Sequence, residues 1–285
     1  MHRSVQWVLV CSLLSACSNE PKRAAATAPT PASIGARPAS AAPAASAIKR
    51  TLIAQGDIAD RPGFESRLYL VEYPPGAQAE LHSHTEQCVG YVLEGRFASA
   101  FGDQAPSITQ AGEGFVDLPT QPHRFKNLDM AHPLRFVIAG TFRKGEPLIL
   151  PATGVSTLEP STTTPRADAA TTLPAGPVTE VKRTLLTQRN IDDQPGLESR
   201  IYLIEFPAAA AAKLHQHSTQ GIGYVLEGSF ESAFGDGPPT IKHAGEAFVD
   251  LANQPHHFKN ADAARPLRFI VAGTFHKDEP LFQVL

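Results

Sequence analysis

The chain writes the same stretch twice. Lys49-Arg50-Thr51-Leu52 returns as Lys182-Arg183-Thr184-Leu185, and Ala139-Gly140-Thr141-Phe142 returns as Ala272-Gly273-Thr274-Phe275, at a constant offset of 133 positions. The alignment needs no insertion or deletion, and well over half of the aligned residues are identical. A unit of roughly 100 residues is far longer than a solenoid repeat and large enough to bury its own core, so it reads as a duplicated domain. A chain of 285 residues accommodates two such domains and their connections.

Within each copy, short apolar or alternating runs are separated by turn residues. In the first copy the runs are 67–73, 89–93, 97–101, 115–118 and 134–142, broken by Pro74-Pro75-Gly76, Glu94-Gly95, Gly102-Asp103 and Ala111-Gly112. Nothing carries a long helical period. Many short strands at this spacing predict an all-β fold, a barrel or jelly roll, in each copy. The boundaries expected are 48–150 and 181–285 for the two barrels, with a linker at 151–180. A stretch at 18–47, rich in Ala, Pro, Ser and Thr, reads as a disordered tether because it has too little apolar surface to offset its ordering entropy.

Residues 1–17 read as a targeting segment. His2 and Arg3 precede an apolar run, Val5 to Leu14, which is too short to span a bilayer. The run ends in Leu14-Ser15-Ala16-Cys17, which resembles the lipobox of bacterial lipoproteins. The resemblance implies a lipid on Cys17, a membrane as partner, and a periplasmic, lipid-anchored location in a bacterial cell envelope. The alternatives are an ordinary signal peptide or a buried apolar helix. With Cys11 removed and Cys17 lipidated, only Cys88 would remain in the folded part, so no intramolecular disulfide is expected. The formal charge of -3, from 25 basic and 28 acidic residues without a run of one sign, argues against nucleic acid as a partner.

The chemistry-bearing motif is also doubled: His82-Ser-His84 before Gly90-Tyr-Val-Leu-Glu-Gly95, and His215-Gln-His217 before Gly223-Tyr-Val-Leu-Glu-Gly228. Two residues at i and i+2 on a strand share a face, so each pair is the start of a metal site. Of eleven histidines only six pair under the 133-residue offset: these four, with His123 and His256. In its spacing of Gly76, His82, His84 and Gly95, and of Gly112, His123 and Asn127 with Gly245, His256 and Asn260, the chain resembles the cupin family, here as a tandem bicupin. The resemblance implies two double-stranded β-helix barrels, each holding a divalent metal on three histidines: His82, His84 and His123, and His215, His217 and His256. Imidazole ligands suit iron, zinc, manganese, nickel or copper without selecting among them.

The departures from the family pattern carry their own expectations. The family's glutamate falls on Cys88 and on Gly221, so a three-histidine site is expected to leave the ion's charge uncompensated. Gln87 and Gln220, one residue earlier, are candidates to complete the ligand set or steer a bound molecule, with a solvent-facing role as the alternative. Cys88 would ligate as thiolate or fill space as a buried thiol. Leu118 and Thr120, with Leu251 and Asn253, replace the proline and glycine of the second motif, and Ala209 replaces Gly76, which bears on loop shape. Tyr91 and Tyr224 are candidates for the pocket or the core, Phe125 and Phe258 for the pocket wall, and Asn127 and Asn260 for bracing a turn.

Open three-histidine sites of this kind suggest a metal-dependent enzyme, within the family a quercetinase-like dioxygenase. The alternative is a non-catalytic module binding a metal or a small ligand at the membrane surface. A small molecule is the expected partner in either case, and the two barrels are expected to pair within the chain.

Overall fold

A computed structural model describes residues 47–153, 158 and 177–285. The targeting segment with Cys17, the tether as far as residue 46 and most of the 151–180 linker lie outside the described residues. The first copy forms β1 (Lys49–Asp57), β2 (Phe64–Tyr73), β3 (His82–Ser83), β4 (Cys88–Glu94), β5 (Arg96–Phe101), β6 (Ser107–Gln110), β7 (Gly114–Asp117), β8 (His123–Asn127), β9 (Leu134–Arg143) and β10 (Leu150–Pro151). The second repeats them as β11 (Lys182–Asn190), β12 (Leu197–Phe206), β13 (His215–Gln216), β14 (Gly221–Glu227), β15 (Ser229–Phe234), β16 (Thr240–His243), β17 (Ala247–Asp250), β18 (His256–Asn260), β19 (Leu267–His276) and β20 (Gln283–Val284).

Each copy is two five-stranded sheets, ordered β1-β2-β9-β4-β7 and β10-β3-β8-β5-β6 in the first. The pairings are antiparallel, and the chain passes between the two sheets along its length, which makes the expected all-β jelly-roll barrel. Between the sheets, inward-facing phenylalanines interlock. Phe97 packs on Phe125 with ring centroids 4.5 Å apart and stands edge-on to Phe115 at 5.2 Å. Phe230, Phe258 and Phe248 repeat the arrangement at 4.6 and 4.9 Å.

The barrels pair through the outer faces of their β1- and β11-containing sheets. Leu68, Val89, Tyr91, Val137 and Ala139 pack with Ile201, Ile222, Tyr224, Ile270 and Ala272, their mates at the repeat offset, in one buried apolar cluster. Polar contacts follow the same pseudo-twofold symmetry. The Arg61 guanidinium donates to Gln194 Oε1 at 2.9 Å and Thr274 Oγ1 donates to Thr141 Oγ1 at 3.1 Å, each joining a residue to its own mate position. This is the isologous geometry of a symmetric dimer, built within one chain.

Three turns depart from the family's residues and still keep the backbone those residues supply. Thr120 and Asn253 take φ of 59° and 55°, and Ala209 takes φ of 56° where its mate Gly76 has 65°. A side chain at Gly76 would meet Met130 Sδ at 2.8 Å. The mate of Met130 is Ala263, so the second copy has the room that Ala209 needs.

Candidate metal centre

The three histidines of each copy meet inside the barrel. His82 lies directly across the ladder from His123, and His215 from His256. Within each trio, one ring nitrogen or the other from all three histidines lies within 4.8 Å of its fellows. All six are buried, with exposures of 5, 3 and 0 % in the first barrel and 8, 7 and 2 % in the second.

Backbone carbonyls fix which nitrogen faces the centre. His82 Nδ1 donates to Glu80 O at 2.8 Å, His123 Nδ1 to Gln121 O at 2.9 Å, and His84 Nδ1 to Leu148 O at 2.7 Å, from the segment following β9. The second barrel repeats the set: His215 to Lys213 O at 2.7 Å, His217 to Leu281 O at 2.7 Å and His256 to Gln254 O at 3.4 Å. A carbonyl can only accept, so each Nδ1 carries a hydrogen and each ring turns Nε2 inward. This is the orientation that metal-binding histidines take from such partners.

A carboxylate stands beside two of the three histidines in each group, and it comes from a strand that motif spacing did not indicate. Asp117, the last residue of β7, places Oδ2 at 2.8 Å from His84 Nε2 and Oδ1 at 3.0 Å from His123 Nε2. In the second barrel Asp250 stands 3.0 Å from His217 Nε2 and 3.6 Å from His256 Nε2. The missing glutamate therefore has a replacement, because Asp117 pairs with Cys88 and Asp250 with Gly221 across the β4–β7 and β14–β17 ladders. Each three-histidine group thus has a carboxylate beside it that would offset part of an ion's charge. The signal that could have found these residues was Phe-Val-Asp-Leu, present in both copies.

The donor set fits a cation. Nε2 of His84 and His123 and both oxygens of Asp117 are buried without a hydrogen between them, and His217 Nε2 is in the same position. Lone pairs facing a carboxylate at 2.8 to 3.0 Å require positive charge, either as protons on the rings or as an ion shared by both. Ligand atoms about 2.1 Å from a metal and at right angles to each other are about 3.0 Å apart, so the spacing suits neighbouring ligands on one ion.

The local electrostatics point the same way. Burial lowers His82 and His215 to about 4, keeping them neutral. For His123 and His217 burial also works downward, but the adjacent aspartate outweighs it and the net shift is upward. Burial pushes Asp117 and Asp250 up, and the neighbouring histidines more than reverse it. His256, farther from its aspartate, is shifted down, with burial the leading cause.

The other candidates fall elsewhere. Gln87 Nε2 donates to Arg189 O and Ser199 Oγ, both at 3.1 Å, and Gln220 Nε2 to Gly56 O at 3.0 Å and Ser66 Oγ at 2.7 Å. Both glutamine side chains cross the seam and tie one barrel to the other rather than steering a bound molecule. Cys88 is fully buried among Val92, Phe142 and other apolar residues, its Sγ 3.6 Å from Glu86 O, and burial drives its thiol well above the usual range. It fills space as a neutral thiol. Tyr91 and Tyr224 belong to the seam, whereas Phe125 and Phe258 do face their centres, Phe125 with its ring 5.4 Å from that of His123. Asn127 Nδ2 donates to Pro74 O and His132 O, and Asn260 repeats this with Pro207 O and Arg265 O, so both brace turns.

Comparison with known proteins gives a consistent picture. The family model described as Cupin domain matches residues 69–140 and again 202–273. Among solved structures, an oxalate decarboxylase studied for proton-coupled electron transfer superposes with a TM-score of 0.53 at 16% identity, over 84% of this chain and 80% of its own. The Bacillus subtilis oxalate decarboxylase whose Mn(II) centres were characterised by EPR gives 0.51 at 16% identity, over 86% and 81%. At such identities the likeness is one of fold. No curated protein matches this chain.

Proposed function

Because the chain belongs to the cupin family, we propose that it is a metal-dependent enzyme acting on a small molecule, with its working centre in the second barrel. The observation that carries this reading is the buried group of three histidines whose ring nitrogens converge in each barrel, with an aspartate carboxylate beside two of them. His215, His217, His256 and Asp250 would hold the ion there, and His82, His84, His123 and Asp117 would hold one in the first barrel. A divalent ion in such a site supplies Lewis acidity toward a substrate oxygen. The protein's own part is to fix the ligand rings through Nδ1 and to place a phenylalanine wall beside the centre.

A quercetinase-like dioxygenase is one form of this proposal, supported by open positions beside three histidines and by the apolar wall. The fold shared with oxalate decarboxylases brings decarboxylation into the same set of reactions. The test is oxygen uptake with a diketone and flavonol panel and carbon dioxide release with a carboxylate panel, using protein loaded in turn with manganese, iron, nickel, copper and zinc. No turnover with any metal would sink the enzyme reading.

A non-catalytic, metal-holding role is favoured for the first barrel alone. Only about 10 Å³ of open space lies beside His82, His84 and Asp117. We also propose that the mature chain is anchored to the cell envelope by a lipid on Cys17. Labelling with a fatty-acid probe tests this, and a Cys17→Ser variant that partitions with membranes as the wild type does would refute it.

A further inference from the structure

The two centres share their ligands but not their surroundings. In the second barrel a cavity of about 260 Å³ opens against Asp250 and His256, on the β15–β17 side of the centre. Correspondingly, the Asp250 side chain is 14% exposed and that of Asp117 1%. The walls are Phe230, Phe234, Phe248 and Phe258, and the polar lining includes Ser232 and Lys242. Ala54 and Gln55, from β1 of the other barrel, close one side, so the cavity is incomplete without its neighbour.

Sequence differences at mate positions account for the asymmetry. Thr187 stands where its mate is Ala54, and in the first barrel its Cγ2 lies 3.4 Å from the point a side chain at Gly114 would occupy. In the second barrel the smaller Ala54 faces Ala247, which carries the Cβ that Gly114 lacks. Lys242 has Thr109 as its mate, so only the second barrel lines its cavity with a cation. The Lys242 side chain is half-buried and makes no ion pair among the described residues.

We propose that this cavity is a binding site for a small aromatic carboxylate, one per chain, with the ring on the phenylalanine wall and the carboxylate on Lys242. Both recognition elements follow from chemistry: flat apolar surface suits a ring, and a partly desolvated ammonium seeks an anion. The volume falls just below the range usual for drug-sized ligands, which sets the ligand at about the size of benzoate or its close derivatives. The inference rests on the second barrel being the working centre and names the substrate class for it.

Isothermal titration of the full chain with benzoate, and with benzyl alcohol as the neutral counterpart, tests this, with metal content measured on the same samples. One benzoate per chain is expected. Lys242→Met should weaken benzoate at least tenfold and leave benzyl alcohol nearly unchanged. Ala54→Thr, which copies the first barrel, should weaken both while metal content stays as in the wild type. Two equivalents per chain, no benzoate binding by metal-loaded protein, or an unaltered affinity in Lys242→Met would each overturn the proposal. Benzoate binding by a protein that shows no turnover with any metal would leave this site standing while removing the enzyme reading.

Discussion

Asp117 stands directly opposite Cys88 in the β4–β7 ladder, and from there its carboxylate reaches both His84 and His123. Residues opposite one another in an antiparallel pair share a face, so a carboxylate on either strand serves the same centre. In the second barrel Gly221 occupies the mate of Cys88, and a side chain there would come within 3.4 Å of Asp250 Cβ. The ladder thus carries one carboxylate per centre, on β7 and β17.

Asp117→Asn and Asp250→Asn should each reduce metal affinity at their own centre by about tenfold or more, because a neutral amide neither balances the charge nor matches the carboxylate as a ligand. Elemental analysis after dialysis against a weak chelator would read the effect as about one equivalent lost per variant. Full retention in the double variant would show that the aspartates only hydrogen-bond the rings.

Metal removal should destabilise the fold, because the stripped centre keeps a buried carboxylate facing imidazole lone pairs. A ligand at one hundred times its dissociation constant stabilises the native state by about 2.7 kcal/mol per site. Thermal unfolding of chelator-treated protein should therefore shift upward when a divalent ion is restored. The same addition should leave a His82→Ala, His215→Ala double variant where it was. An equal shift in that variant would place the ion elsewhere.

The seam predicts how the two barrels unfold. Gln87 and Gln220 each donate twice across it, and a net hydrogen bond contributes about 0.5 to 1.5 kcal/mol. Gln87→Ala and Gln220→Ala should each cost about 1 to 3 kcal/mol in a urea titration. The wild type should unfold in one transition because the barrels share an apolar cluster. Two separated transitions in the wild type would mean that the seam does not couple them.

Much of this was legible in the sequence, and what was not has a physical reason. The repeat offset, the all-β punctuation and the six histidines are periodic or spaced along one strand, and the structure assembles them as expected. β1 was missed because Lys49–Asp57 alternates only weakly, with both faces partly exposed. The register of β4 against β7 is set by turns and sheet order, which motif spacing along β4 does not encode, so Asp117 and Asp250 stayed hidden. Gln87 and Gln220 misled for a related reason: neighbours on a strand point to opposite faces, so one residue's step from the centre leads to the seam.

The turn after β7 offers a test of stored strain beside the centre. Thr120 N donates to His84 O at 2.8 Å and Asn253 N to His217 O at 2.7 Å, so each turn holds a ligand histidine by its backbone. Both residues are exposed and both sit at positive φ, near 59° and 55°. That conformation costs an ordinary L-residue about 1 to 2 kcal/mol, most for a β-branched one, whereas asparagine tolerates it through local hydrogen bonding. Thr120→Asn should accordingly raise stability by about 0.5 to 1 kcal/mol. Thr120→Gly should do so by slightly less, since glycine loses more chain entropy on folding. Asn253→Gly should change little. Urea midpoints of metal-free protein measure all three without interference from ion binding. If Thr120→Asn is neutral or destabilising, threonine must be held at that φ by contacts that repay its strain.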